Sequence, residues 1–172
     1  MKPYLHLIDR ETTGPRYDVT PLFANREGFA ALVDDIVRPF RAEEIGLVAC
    51  IDALGFLLGA AAARALGAGV LAVRKGGKLP AETIGRTFTD YTGSEKRLEI
   101  RKDAPVEGAR ILLVDEWVET GAQVRAAADL IESAGGVLAA IATIRLDRNE
   151  KTGAIRERYA VHEVWPEEST TG

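Results

Sequence analysis

Hydrophobic and polar positions change rhythm most clearly between Arg110 and Gly136. Ile111, Leu112, Leu113 and Val114 form a short unbroken apolar run bounded by charge, the pattern of a strand buried on both faces of a parallel sheet. Beyond Asp115 the apolar residues return at Val124, Ala127, Ala128, Ile131 and Ala134, which is helical spacing, and Gly135-Gly136 stops the helix. The same rhythm occurs earlier. Residues 46–51 predict a parallel strand, Asp52 to Gly55 a turn, and 56–66 an Ala/Leu-rich helix that ends at Gly67-Ala68-Gly69. A further helix carries the stripe Phe29, Leu32, Val33, Ile36 and Val37, with Asn25 as its N-cap and Pro39 as its stop. Strands are also expected at 70–73, 98–100 and 137–146, and an edge strand over 159–165.

Strands that alternate with helices predict an α/β fold with a central, mostly parallel sheet, helices on both faces and ligands at the strand C-termini. The 172 residues are the size of one domain, 1–172. Within it, 1–24 is an N-terminal arm containing Pro3, Gly14 and Pro15. Residues 82–98 are polar, rich in Thr and Gly and without sustained periodicity, which predicts a long surface loop of the kind that serves as a lid. Residues 147–172 form a C-terminal extension, charged and without a readable pattern as far as Arg158.

Composition narrows the class. With 47% hydrophobic and 28% charged residues the chain is of ordinary globular make-up. A net charge of −4 argues against a broad basic face for nucleic acid, while leaving room for a local basic pocket. The single Cys50 lies in an apolar run, where an inert buried thiol suits a reducing compartment. The N-terminal segment lacks the apolar core of a signal peptide and no stretch has the length of a membrane span, so the expectation is a cytoplasmic protein with no membrane partner. His6 and His162 have no partner spacing and are expected to be structural.

Candidate chemistry gathers at three turns. Asp115 and Glu116 end the central strand, and Glu119, Thr120, Gly121, Ala122 and Gln123 follow where a helix begins. Free N–H groups and the positive end of the helix dipole converge there, a natural seat for a sugar phosphate. Arg74-Lys75-Gly76-Gly77-Lys78 sets three cations beside two glycines, a mobile basic turn that allows close backbone approach. Asp52-Ala53-Leu54-Gly55 repeats the strand-to-helix turn.

The strand, acidic pair, two apolar residues and Thr-Gly turn of 111–121 resemble the phosphoribosyl-pyrophosphate (PRPP) motif of the type I phosphoribosyltransferases. Arg74 to Pro80 is similar to the Arg-Lys-Pro-Gly-Lys-Leu-Pro of the adenine phosphoribosyltransferases. Asp52 to Phe56 resembles their Glu-Ala-Arg-Gly-Phe, and Tyr17 to Phe23 matches the segment before their first core helix. Together these segments cover roughly 17–146 in the family's order. The resemblance implies the type I phosphoribosyltransferase fold and an enzyme of purine salvage that transfers the phosphoribosyl group of PRPP to a purine base, adenine favoured, releasing pyrophosphate. It implies Mg²⁺ as cofactor, bound through PRPP with Asp115 and Glu116 as candidate ligands, and a homodimer. Asp115, Glu116, Lys75 and Glu119 are then the catalytic candidates. Glu119 to Gln123 would hold the 5-phosphate, and Asp52, Ala53, Leu54, Gly55, Arg74, Lys75 and Lys78 the pyrophosphate.

The departures touch chemistry rather than core: Leu54 for Arg, Glu116 for Asp, and Glu119 and Gln123 in the phosphate turn. The family's lid motif Tyr-x-x-Glu-Tyr-Gly is replaced by Phe88-Thr89-Asp90-Tyr91-Thr92-Gly93, with Asp90 the only stand-in for the loop Glu. Two roles stand open for Glu119, a general base near the purine or a solvated loop carboxylate. Open too are the base, and a non-catalytic reading in which the fold senses PRPP or a nucleotide.

Overall fold

The alternation of side chains along a strand decides where the two cores lie. In the computed structural model, which describes residues 2–14, 16–90 and 92–166, β1 (Leu47–Ile51) sends Val48 and Cys50 to one face and Ala49 and Ile51 to the other. All four are fully buried, which is why the run is apolar without a polar alternate. The sheet continues with β2 (Gly69–Lys75), β3 (Thr83–Thr89), β4 (Glu95–Arg101), β5 (Arg110–Val118), β6 (Val137–Leu146) and β7 (Val161–Glu163), in the order β3-β4-β2-β1-β5-β6-β7. β1, β2, β5, β6 and β7 pair in parallel, whereas β4 runs antiparallel to both β2 and β3.

One face is covered by α1 (Thr20–Ala24), α2 (Arg26–Val37) and α3 (Leu54–Leu66), the other by α4 (Ala122–Ser133) and by Ile155 of α5 (Glu150–Arg158). The expected α/β architecture is therefore present. Asn25 caps α2 as expected, its side chain accepting the Gly28 N–H at 2.8 Å. The N-terminal segment is a 3-10 turn, Pro3–Leu7, tied to α2 where the buried Asp35 accepts the Tyr4 hydroxyl at 2.5 Å and pairs with Lys2 at 2.9 Å. His162 meets the Asp35 backbone carbonyl at 2.9 Å, a structural role. Cys50 is buried, and burial pushes its thiol up to about 12, as an inert core cysteine requires. No described helix is long and apolar enough to cross a membrane.

Two segments differ from expectation. Residues 82–98 are not an irregular loop: β3 and β4 form a hairpin in register from Thr83↔Arg101 to Thr89↔Glu95. Ile84, Arg86 and Phe88 share the face toward α4, and Arg86 reaches Asp129 of α4 at 3.4 Å. A charged residue in the inward row hid the period of two. Residues 150–158, left without a pattern, form α5. A capping box starts it: the Asn149 side chain accepts the Thr152 N–H and the Thr152 hydroxyl accepts the Asn149 N–H, both at 3.1 Å. Met1, Pro15, Tyr91 and 167–172 lie outside the described residues.

Candidate active site

Three parallel strands end at one edge of the sheet, and the turns that follow them face one another across a cleft of ≈ 660 Å³. From β1 come Asp52, Ala53 and Leu54, and from β2 come Lys75 and Gly76. From β5 come Asp115 to Glu119 and then Thr120 to Val124 at the start of α4. The central strand is longer than its apolar run implied, because Asp115, Glu116, Trp117 and Val118 continue it as buried residues.

The helix starts explain what such a cleft can hold. Asn25 and Asn149 cap α2 and α5, but no side chain caps α3 or α4, the two helices that begin at the cleft. The Thr120 hydroxyl accepts the Ala122 N–H only at 3.4 Å and the Ala53 carbonyl accepts the Phe56 N–H at 3.1 Å; the other first-turn N–H groups have no intrahelical acceptor, so these ends suit anionic oxygens. Gly121 makes the α4 turn possible: its φ is +71°, and a Cβ there would overlap Ile155 of α5. Gly55 serves close approach instead, since a Cβ at that position would lie 2.9 Å from Asp115 Oδ1.

Asp115 is 6% exposed and Glu116 7%. Burial first, and the Glu116 carboxylate beside it second, push Asp115 well above the ordinary aspartate range. The cation facing them was missed in the sequence. Arg16 of the arm stands 3.7 Å from Glu116 and 3.8 Å from Glu119, more than ninety residues away along the chain. Its place is set by its neighbour: Tyr17 meets Trp117 edge-on at 5.7 Å and stacks on Trp165 at 5.9 Å, while Arg145 lies over both tryptophans. Trp117 Nε1 is buried without a hydrogen-bond partner among the described residues. The only sequence signal for Arg16 was its position next to the Tyr17–Phe23 match.

Most of the expected site residues come together: Asp52 to Leu54, Lys75, the acidic pair and Glu119 to Gln123 all line the cleft. Arg74, Lys78 and Gly55 do not. Arg74 lies 3.5 Å from Asp52 and donates to the Lys78 carbonyl at 3.1 Å, so it braces two turns from behind, and the exposed Lys78 stays outside the wall. The hairpin contributes Phe88, Asp90, Glu95, Lys96 and Arg97. Asp90 is committed to the hairpin tip, accepting the Thr92 and Ser94 N–H groups and the Thr92 hydroxyl. It is therefore no free loop acid.

Among the described residues the lining carries six carboxylates, at Asp52, Asp90, Glu95, Asp115, Glu116 and Glu119, against the four cations Arg16, Lys75, Lys96 and Arg97. Such a lining repels a bare polyphosphate and suits one that arrives with a divalent cation. Hard carboxylate oxygens beside substrate phosphates are what Mg²⁺ takes, and no cage of three or more protein ligands is found among the described residues.

A family model described as a phosphoribosyl transferase domain matches residues 23–168. The adenine phosphoribosyltransferase of Chromohalobacter salexigens is 40% identical over 148 residues, 86% of this chain and 81% of that protein. The crystal structure of the adenine phosphoribosyltransferase from Thermoanaerobacter pseudethanolicus is similar with a TM-score of 0.86 at 30% identity, over 95% of this chain and 97% of that one. The Saccharomyces cerevisiae enzyme, complexed with D-2,5-dideoxy-2,5-imino-altritol 1,6-bisphosphate and adenine, has a TM-score of 0.84 at 26% identity, over 94% and 96% of the two chains.

Proposed function

The chain belongs to the phosphoribosyl transferase domain family, and on that premise we propose that it transfers the 5-phosphoribosyl group of PRPP to a purine, adenine first, releasing pyrophosphate. The observation that carries the reading is the buried pair Asp115–Glu116 leading directly into the uncapped start of α4, across the cleft from Lys75. The names of its relatives favour adenine.

The roles follow from charge. The α4 start, with the Thr120 hydroxyl and the N–H groups through Gln123, holds the 5-phosphate. Asp115 and Glu116 accept from the ribose hydroxyls, and their charge favours a ring that becomes cationic as the C1–oxygen bond breaks. Pyrophosphate leaves with the bonding electron pair toward Lys75 and the start of α3. Asp115 and Glu116 would hold Mg²⁺ together with PRPP, and the ion, when bound, offsets the charge of the departing pyrophosphate. Glu119, beside Arg16, takes the proton that the base nitrogen gives up. The hairpin closes over the cleft as its lid. The working form is a cytoplasmic homodimer, to which the buried reduced Cys50 is suited.

The test is pyrophosphate release from Mg²⁺-PRPP with adenine, hypoxanthine, guanine and xanthine in turn. Adenine is expected to react fastest, and Glu119→Gln to slow turnover and alter its pH profile. PRPP binding with no pyrophosphate released for any base would overturn transfer, and an unchanged pH profile would remove Glu119 as the base. Analytical ultracentrifugation showing a monomer at working concentration would remove the dimer.

A further inference from the structure

Glu99 is the charged residue of β4 that the fold buries, at 4% exposure, and it lies outside the cleft wall. Its Oε1 accepts the backbone N–H of Lys78 at 3.0 Å and of Leu79 at 3.2 Å, and its Oε2 accepts the Thr83 hydroxyl at 3.3 Å. Successive N–H groups converging on one point form an anion receptor, and here the anion is part of the chain. Burial pushes the Glu99 carboxyl up, but the hydrogen bonds it accepts from the turn and from Thr83 outweigh it and hold it below the usual glutamate range. The turn is therefore clamped rather than mobile, contrary to what Gly76 and Gly77 implied. Its Lys78 and Leu79 N–H groups are engaged by Glu99 and its Gly76 N–H by Arg97, so what the turn offers the cleft is the Lys75 side chain. Pairing sets the span: Arg74 lies opposite Glu99 and Lys75 opposite Leu98, and the Gly76 N–H donates to the Arg97 carbonyl at 2.9 Å.

We propose that Glu99 is a positioning residue, which holds the 76–79 turn in the shape that keeps Lys75 at the cleft and thereby sets affinity for the pyrophosphate end of PRPP. This rests on reading the cleft as a PRPP site. The discriminating ligand is adenosine monophosphate, which shares the 5-phosphate and ribose but lacks pyrophosphate.

Calorimetry with Mg²⁺-PRPP and with adenosine monophosphate is carried out on wild type, Glu99→Ala, Glu99→Gln, Lys75→Ala and the Glu99→Ala/Lys75→Ala double variant. Glu99→Ala should weaken PRPP binding on the order of tenfold to a hundredfold and leave the monophosphate unchanged, because misplacing a binding group costs that much. Glu99→Gln keeps one acceptor for Lys78 and Leu79 and should lose less. In the Lys75→Ala background, removal of Glu99 should add almost nothing, since the two act through one contact. If Glu99→Ala fails to fold by circular dichroism, Glu99→Gln carries the same comparison. Unchanged PRPP affinity, or equal loss of both ligands, would overturn the inference while leaving the cleft reading intact. A wild-type protein that binds neither ligand would overturn both.

Discussion

Replacing Asp115 by Asn and Glu116 by Gln will slow turnover on the order of a hundredfold to a thousandfold, the scale seen when preorganised charge is removed from a transition state. The same change will make the ligand-free protein harder to unfold at neutral pH. Both carboxylates are buried, and the folded chain holds Asp115 well above its ordinary 3.8 because of burial and the neighbouring Glu116. Stability from such a group is whole below the unfolded value and is lost as pH rises through the folded one. At neutral pH the native pair is thus an internal cost, and the amides remove it. Thermal melts should show the variant above wild type at pH 7, with the gap shrinking as the solution is acidified. Normal turnover would take the pair away from the ribose, and a variant that melts lower at pH 7 would contradict the electrostatic account.

Gly121→Val will cost roughly 3 kcal/mol of stability, from a β-branched residue forced to positive φ and from overlap with a packed side chain. For a chain of this size that is about 6–12 °C of Tm. The φ of +71° is the first cause, and the collision of the new Cβ with Ile155 is the second. PRPP affinity should fall as well, because α5 and the phosphate turn are packed through that contact. Asn149 adds to the coupling, since its Nδ2 donates to the Glu119 carbonyl at 2.7 Å. A melt within a degree of wild type would mean that the turn relaxes freely.

Features governed by short-range pattern were legible in the sequence. The continuous run Ile111 to Val114, the stripe from Phe29 to Val37 and the Asn25 cap each follow from neighbours a few residues apart, and the fold class follows from their order. The phosphate turn and acidic pair were legible for the same reason. Arg16 was not, because what makes it a cleft residue is the seating of Tyr17 among Trp117 and Trp165, contacts between distant parts of the chain. Glu99 looked like an ordinary strand glutamate, since its donors lie twenty residues upstream. The β3–β4 hairpin was hidden by Arg86, whose charge is met by Asp129 of α4, 43 residues further along the chain. Asn149 and Thr152 were within reach, as a local capping box, but the charged residues around them masked it.

The ring cluster also gives the molecule an optical property. The chain has two tryptophans, and both belong to this cluster, 6.2 Å apart, one in the cleft wall and one beneath Arg10 and Arg145 of the arm and β6. Tryptophan emission from this protein therefore originates at the junction of arm and cleft. A ligand that displaces Arg16 and Tyr17 changes the polarity and charge around both fluorophores, so titration with Mg²⁺-PRPP should shift the native spectrum without any label. A spectrum unmoved at saturation would mean that the arm stays seated when the cleft fills.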